Sequence, residues 1–296
     1  MKQQQFKVEI TIEDEGIPPG SIGLLLPVPP RTADQEPTGL VLDPAWRATL
    51  HAGQNPRQSA LFAQVPADRL HRPIRFEVGL RDGPLVEEHF DPSDGPSTAP
   101  QGDAQALLDS LQIPDAADEL ERLRRIVDCL ADKFDYTHDR KGVGALTCDL
   151  LSGNCFDINA ALMKLLRLAG IKHVYYIGYF VEDGQPFGRG HCWVSTVTSA
   201  GYQSWDIAHH LKRDLGRTEP SLNPIPGTRV AMSTGWDLVF HLAGTRVEIP
   251  HLVLPRWVFP DGTSRDCKVQ MRLIPMARAD REDSSEQSLK SRNLVI

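Results

Sequence analysis

The periodicity of the apolar residues changes twice along this chain. Phe6, Val8, Ile10 and Ile12 alternate with polar residues, and Ile74, Phe76, Val78 and Leu80 repeat the pattern. A two-residue period is that of a strand with one face buried. Between these runs, Ser21–Val28, Trp46–His51 and Leu61–Val65 are separated by turns bearing proline and glycine. Short strands with frequent turns predict a small antiparallel β-sandwich over residues 1–90. The next stretch, 91–103, is Asp-Pro-Ser-Asp-Gly-Pro-Ser-Thr-Ala-Pro-Gln-Gly-Asp. That composition has little apolar surface to bury and reads as a linker.

A second domain is expected over 104–278. It opens with helical spacing: Leu120, Leu123, Val127, Leu130 and Phe134 fall at steps of three and four, as do Ile158, Leu162, Leu165 and Ala169, with Gly170 as a stop. Strand character then returns at His173–Val181, Gly190–Thr198 and Tyr202–Asp206, the last two joined by a tight turn at Ser199-Ala200-Gly201. Further strands are expected at Arg229–Met232, Asp237–His241 and Lys268–Leu273, and the polar residues 279–296 read as a disordered tail.

Composition excludes some classes of function. The 296 residues carry a net charge of −7, the wrong sign for a nucleic-acid partner. No apolar run nears the roughly 18–20 residues of a membrane span, so no membrane partner is expected. The first residues, Met1-Lys2-Gln3-Gln4-Gln5-Phe6, lack the apolar stretch of a signal peptide, and the expected location is cytoplasmic. Cys129, Cys148, Cys155, Cys192 and Cys267 are odd in number and form no CxxC pair, which disfavours a disulfide framework and a structural zinc site. A site built on Cys148, Cys155, His191 and Cys192 is disfavoured too, because strand neighbours such as His191 and Cys192 point to opposite faces. No metal and no cofactor is expected.

Cys155 differs from the other cysteines in its position. It follows the turn Ser152-Gly153-Asn154 and opens the second helix. The free N–H groups and positive dipole end of a helix start favour a thiolate and an oxyanion beside it. His191 opens a strand after the glycine-rich Gly188-Arg189-Gly190, and Asp206 closes the next strand, 15 residues on. A hairpin folds that interval nearly in half and sets the two almost opposite each other on one face, where Cβ atoms are about 4.5–5.5 Å apart. An aspartate there can hold one ring nitrogen of the histidine and leave the other for the thiol. Cys192, facing away, is expected to leave this chemistry untouched.

Four motifs carry a resemblance. Gly153-Asn154-Cys155-Phe156-Asp157 with its helix ending Leu168-Ala169-Gly170-Ile171, then Tyr176-Ile177-Gly178-Tyr179, Gly190-His191-Cys192-Trp193-Val194 and Gln203-Ser204-Trp205-Asp206, resemble the core of the transglutaminase-like superfamily of papain-like thiol enzymes, in its bacterial type. The likeness spans roughly residues 117–210. It departs after the aspartate, where members often have proline and a small hydroxyl residue and this chain has Ile207-Ala208. The resemblance implies an α+β fold, with the cysteine helix packed on an antiparallel sheet. It assigns Cys155 as nucleophile, His191 as base and Asp206 as the residue orienting the base. Tyr136, Arg189 and Trp193 are the candidates for substrate binding, Tyr136 also as an oxyanion donor. The function expected is acyl transfer through a Cys155 thioester, on a peptide, protein or carrier-bound acyl substrate, making the chain an amidase, a peptidase or an amide-forming acyltransferase. Calcium, used by animal relatives, is not expected, since no Asp-x-Asp-x-Asp loop is present. The alternative is a non-catalytic binding or scaffold protein on the same fold.

Overall fold

The computed structural model describes residues 4–54, 58–80, 101–113, 118–137, 151–221 and 223–276. The expected tail and most of the expected linker lie outside them. Six strands come first: β1 Gln4–Ile12, β2 Gly23–Pro27, β3 Gln35–Val41, β4 Arg47–Ala52, β5 Ser59–Gln64 and β6 Ile74–Leu80. Then follow α1 Gln101–Ser110, α2 Glu119–Lys133, the short strands β7 Phe134–Tyr136 and β8 Leu151–Gly153, and α3 Cys155–Leu168. The remainder is β9 Lys172–Glu182, β10 Arg189–Thr198, β11 Gly201–Trp205, α4 Ile207–Arg213, β12 Gly227–Thr234, β13 Leu238–Leu242, β14 Thr245–Ile249, β15 Arg256–Val258, β16 Ser264–Asp266 and β17 Val269–Pro275. Helix α1 begins at Gln101, so the last three residues read as linker are its first turn; Ala104 and Leu107, both fully buried, draw them in. Among the described residues, no helix is long and apolar enough to cross a membrane.

The strands of the first 80 residues do not fill their sheets alone. One four-stranded sheet has the order β17-β1-β6-β3, and a five-stranded one has the order β16-β15-β2-β5-β4. Both are completed from the far end of the chain. In the first, Ile10 pairs with Met271 and Val8 with Leu273, all antiparallel. Val8, Ile10 and Ile12 from one sheet and Leu24, Leu26 and Leu61 from the other bury into a single apolar core. That core continues into the helices through Leu123, Val127, Ile158, Leu162 and Leu165.

A four-stranded antiparallel sheet, β11-β10-β9-β12, carries α3 on one face. The alternation of its strands sorts the side chains. Tyr175, Ile177, Cys192, Val194 and Met232 face the main core, and Tyr176, Trp193 and Ala231 form a smaller cluster on the other side. The helix is buried almost all round, because α1, α2 and α4 also pack on it. This is the mixed helix and antiparallel-sheet architecture that the motifs implied. At the edge strand β12, Gln35 substitutes for a further strand: its side-chain amide donates to Ala231 O at 3.0 Å and accepts from Ala231 N at 2.8 Å.

Candidate active site

The site is assembled at the N-terminus of α3. Asn154 caps the helix, its side-chain oxygen accepting from Phe156 N at 2.9 Å, while Asp157 reaches back to accept from Asn154 N at 2.9 Å. This reciprocal capping box fixes the entry of the chain into the helix and leaves Cys155 as the first helical residue. Gly153 is required for it: φ is +153°, and a Cβ there would lie 2.3 Å from an Asp157 carboxylate oxygen. The strand β8 that ends at Gly153 runs parallel to β7, pairing Gly153 with Tyr136. Tyr136 is thereby brought beside Cys155.

His191 and Asp206 meet as the hairpin arithmetic suggested, with an adjustment in register. β11 pairs with β10 only from Val194 opposite Trp205 onward. Asp206 is therefore past the end of its strand, and it lies diagonal to His191 rather than opposite it. Diagonal neighbours share a face, and His191 Nε2 lies 2.9 Å from Asp206 Oδ2. The other ring nitrogen is left for Cys155, whose thiol hydrogen-bonds the ring. Asp206 is itself the N-cap of α4, its Oδ1 accepting from His209 N at 3.0 Å. A helix start and a fully buried carboxylate are thus joined.

Cys192 requires a correction. Alternation does turn it away from His191, but the face it turns to is the one on which α3 lies. It is fully buried and hydrogen-bonds the Cys155 thiol. Because β11 stops at Val194, the edge of β10 at residues 191–193 is uncovered by that strand. A sulfur at that edge reaches both neighbours. Asn159, one turn into α3, fixes the arrangement by donating to Cys155 O at 2.8 Å, Cys192 O at 3.0 Å and Cys192 Sγ at 3.4 Å.

The electrostatics separate the two thiols. Cys155 is held well below the ordinary thiol range by the hydrogen bond from Cys192, which outweighs burial together with the bond and charge of His191. Cys192 is pushed well above it, by burial first and then by Cys155. Burial alone would lower His191, but the charge and hydrogen bond of Asp206 and the bond to Cys155 raise it. Asp206 is likewise pushed up by burial, yet His191 and Arg229 bring it well below the carboxylate range. These directions describe a thiolate–imidazolium pair backed by a carboxylate. Tyr136 is pushed up to about 12, by burial and by the charges of Cys155, Cys192 and Asp206, and so keeps its proton.

Of the other binding candidates, Arg189 is exposed at the start of β10 and makes no ion pair among the described residues. Trp193 is 3% exposed and belongs to the small cluster behind the sheet, so it is a floor to the site and not a groove wall. The strand period puts it on the face of His191, but that face is itself covered. Two residues that the motifs did not indicate join the site. His209 stacks on His191 with ring centroids 3.9 Å apart and planes 6° apart, and its Nδ1 lies 2.8 Å from Asp206 Oδ2 without a well-directed hydrogen bond. Burial pushes it down, toward neutral imidazole. Arg229, on β12, donates from Nη2 to the same Asp206 oxygen. The Asp-x-x-His spacing of 206–209, an N-cap and its N3 residue, was a readable sign of the first. Nothing in Thr228-Arg229-Val230 distinguishes the second from a surface arginine.

His191, Asp206 and His209 bring ligand-type atoms within 4.8 Å of one another. The guanidinium of Arg229 already supplies positive charge at the oxygen a metal ion would share, so the donor set does not suit a divalent ion.

Residues 109–207 match the family model of the Transglutaminase-like superfamily. No curated protein matches the sequence. Among solved structures, a chain called "Putative Cysteine Protease from Cytophaga hutchinsonii" is similar at 11% identity and a TM-score of 0.49, over 93% of this chain and 99% of that one. The matched span contains the helix of Cys155, the strand of His191 and, one residue before its end, Asp206. Over residues 109–207, the chain carries a domain of the transglutaminase-like superfamily.

Proposed function

We propose that the chain is a thiol enzyme that transfers an acyl group through a thioester on Cys155, with His191 as acid and base and Asp206 as the group that orients His191. The observation that carries this reading is the hydrogen-bonded series from Cys155 through His191 to Asp206, set at a helix N-terminus. The Cys155 thiolate attacks the carbonyl carbon of an amide or thioester. The charge moves onto the carbonyl oxygen, beside the Cys155 N–H at the start of α3, which the capping of Phe156 and Asp157 leaves available, and the protonated Tyr136. The intermediate collapses, the imidazolium of His191 protonates the leaving amine or thiolate, and the acyl group remains on sulfur. Water or an amine then gives a proton to His191 as it attacks the thioester, and the thiolate is restored. The substrates that suit an acyl-accepting thiolate at a helix start are a peptide, a protein or a carrier-bound acyl group, and Arg189, exposed at the start of β10, is the candidate to meet an anionic part of one.

The test is rapid quenching with an activated ester or an acylated carrier, followed by intact-mass measurement. Wild-type protein should carry one acyl adduct, absent from Cys155→Ala. Full turnover in Cys155→Ala would refute the mechanism and favour a non-catalytic role for this constellation.

A further inference from the structure

Asp206 Oδ2 is approached by His191, His209 and Arg229 together. The side chain of Arg229 is 1% exposed. It is sealed in by aromatic rings, its guanidinium carbon 4.8 Å from the centroid of Trp193 and 5.9 Å from that of Phe180. Gly178 permits this. It pairs with His191 on one side and Ala231 on the other, and a Cβ there would sit 1.9 Å from Val230 O. With glycine, β12 lies close enough to bring Arg229 beneath Asp206. On the far side, Gln35 binds Ala231, two residues along β12.

From this geometry we infer that Arg229 is a positioning residue for the catalytic triad, pinning Asp206 from behind and balancing its charge, so that His191 is held square to Cys155. The inference rests on the proposed thiol chemistry. Burying an arginine is costly unless its charge is paired. Nε and Nη1 find no hydrogen-bond acceptor among the described residues, so Asp206 is the group to which this cation is committed. The other carboxyl in its field, Asp34, is pushed up by burial, against a hydrogen bond from Thr32 and the weaker pull of Arg229.

The buried groups gathered here are Cys155, Cys192, His191, Asp206, His209 and Arg229, with Tyr136 half-buried beside Cys155 and Asp34 half-buried in the field of Arg229. As a thiolate, an imidazolium, a carboxylate and a guanidinium, Cys155, His191, Asp206 and Arg229 sum to zero charge. Removing the guanidinium leaves a net negative cluster in a poorly solvated place, which binds protons more tightly. Each proton loss in the cluster then moves to higher pH.

The experiment compares the pH dependence of iodoacetamide alkylation at Cys155, by peptide mapping, in wild type, Arg229→Met and Arg229→Lys, with melting temperatures measured alongside. The acid limb of alkylation should rise by about one pH unit in Arg229→Met, with labelling below the limb slowed roughly tenfold. Arg229→Lys, which retains the charge, should recover at least half of that shift. If Arg229→Met does not fold, Arg229→Gln serves for the neutral variant. A limb unmoved in the neutral variant, with a uniform loss of rate at every pH, overturns the inference and leaves Arg229 a packing residue. A wild-type limb at the ordinary thiol pH overturns the thiol chemistry itself, and the role of Arg229 with it.

Discussion

The sulfur of Cys155 stands between a cation and a donor. His191 supplies the positive charge that a thiolate needs, and the Cys192 thiol, its pKa pushed up by burial, is a hydrogen-bond partner of the same atom. Such a donor favours the charged form of the acceptor. Cys192→Ala should therefore raise the acid limb of Cys155 alkylation by about one pH unit, whereas Cys192→Ser, whose hydroxyl also donates, should keep it near wild type. Equal limbs in the alanine variant and wild type would show that the contact is packing alone. The order Cys155, His191, Asp206 was legible because each lies in a motif with its own local geometry, a helix start, a strand start and a strand end. Cys192 was misjudged because alternation gives the face of a residue and not what packs on that face. Arg229 was invisible because its burial depends on an aromatic pair and on a glycine in another strand.

Helix α3 places Cys155, and its two ends were readable from Asn154 and Gly170. Its first turn is the sensitive part. Asn154→Ala removes the acceptor for Phe156 N, at a cost of about 1 kcal/mol. The loosened turn should also slow Cys155 alkylation severalfold at neutral pH. Urea unfolding and labelling kinetics on the same variant check both; a destabilised helix with undiminished labelling would mean that the sheet, not the cap, holds the sulfur in place. Short elements escaped the sequence. β7 and β8 have three residues each and α4 has seven, too few for any period to register. Of these three, α4 delivers His209, which was missed together with its helix, whereas Tyr136 was named although its strand β7 was not.

In the molecule as a whole, a single apolar core runs from Ile10 in β1 to the helix of Cys155. A cavity at one end should then weaken the other. Ile10→Ala, at a fully buried position, should cost about 2–5 kcal/mol and lower the urea midpoint by the same amount whether unfolding is followed by far-UV circular dichroism or by protection of Cys192 from alkylation. Midpoints that separate would divide the core into independent parts. Near the N-terminus, β1 and β6 were legible from alternation and β2, β4 and β5 from the turns around them, β3 was not, and β17 was expected as a strand. Their partnership was not, since pairing across most of a chain leaves no mark in either strand taken alone.

That partnership has a consequence for biosynthesis. β1 is made before both of its partners and can pair with β6 soon afterwards, but its other edge waits for β17, whose Val269 follows Ile12 by 257 residues (269 − 12). At a ribosomal rate of about 5–20 residues per second, that is roughly 13–50 seconds with an apolar strand edge open to any neighbouring nascent chain. The interval falls in the cell before the protein exists as a folded molecule, and holdase chaperones that bind such edges should associate with ribosomes translating this message until the codons for 269–275 have been read.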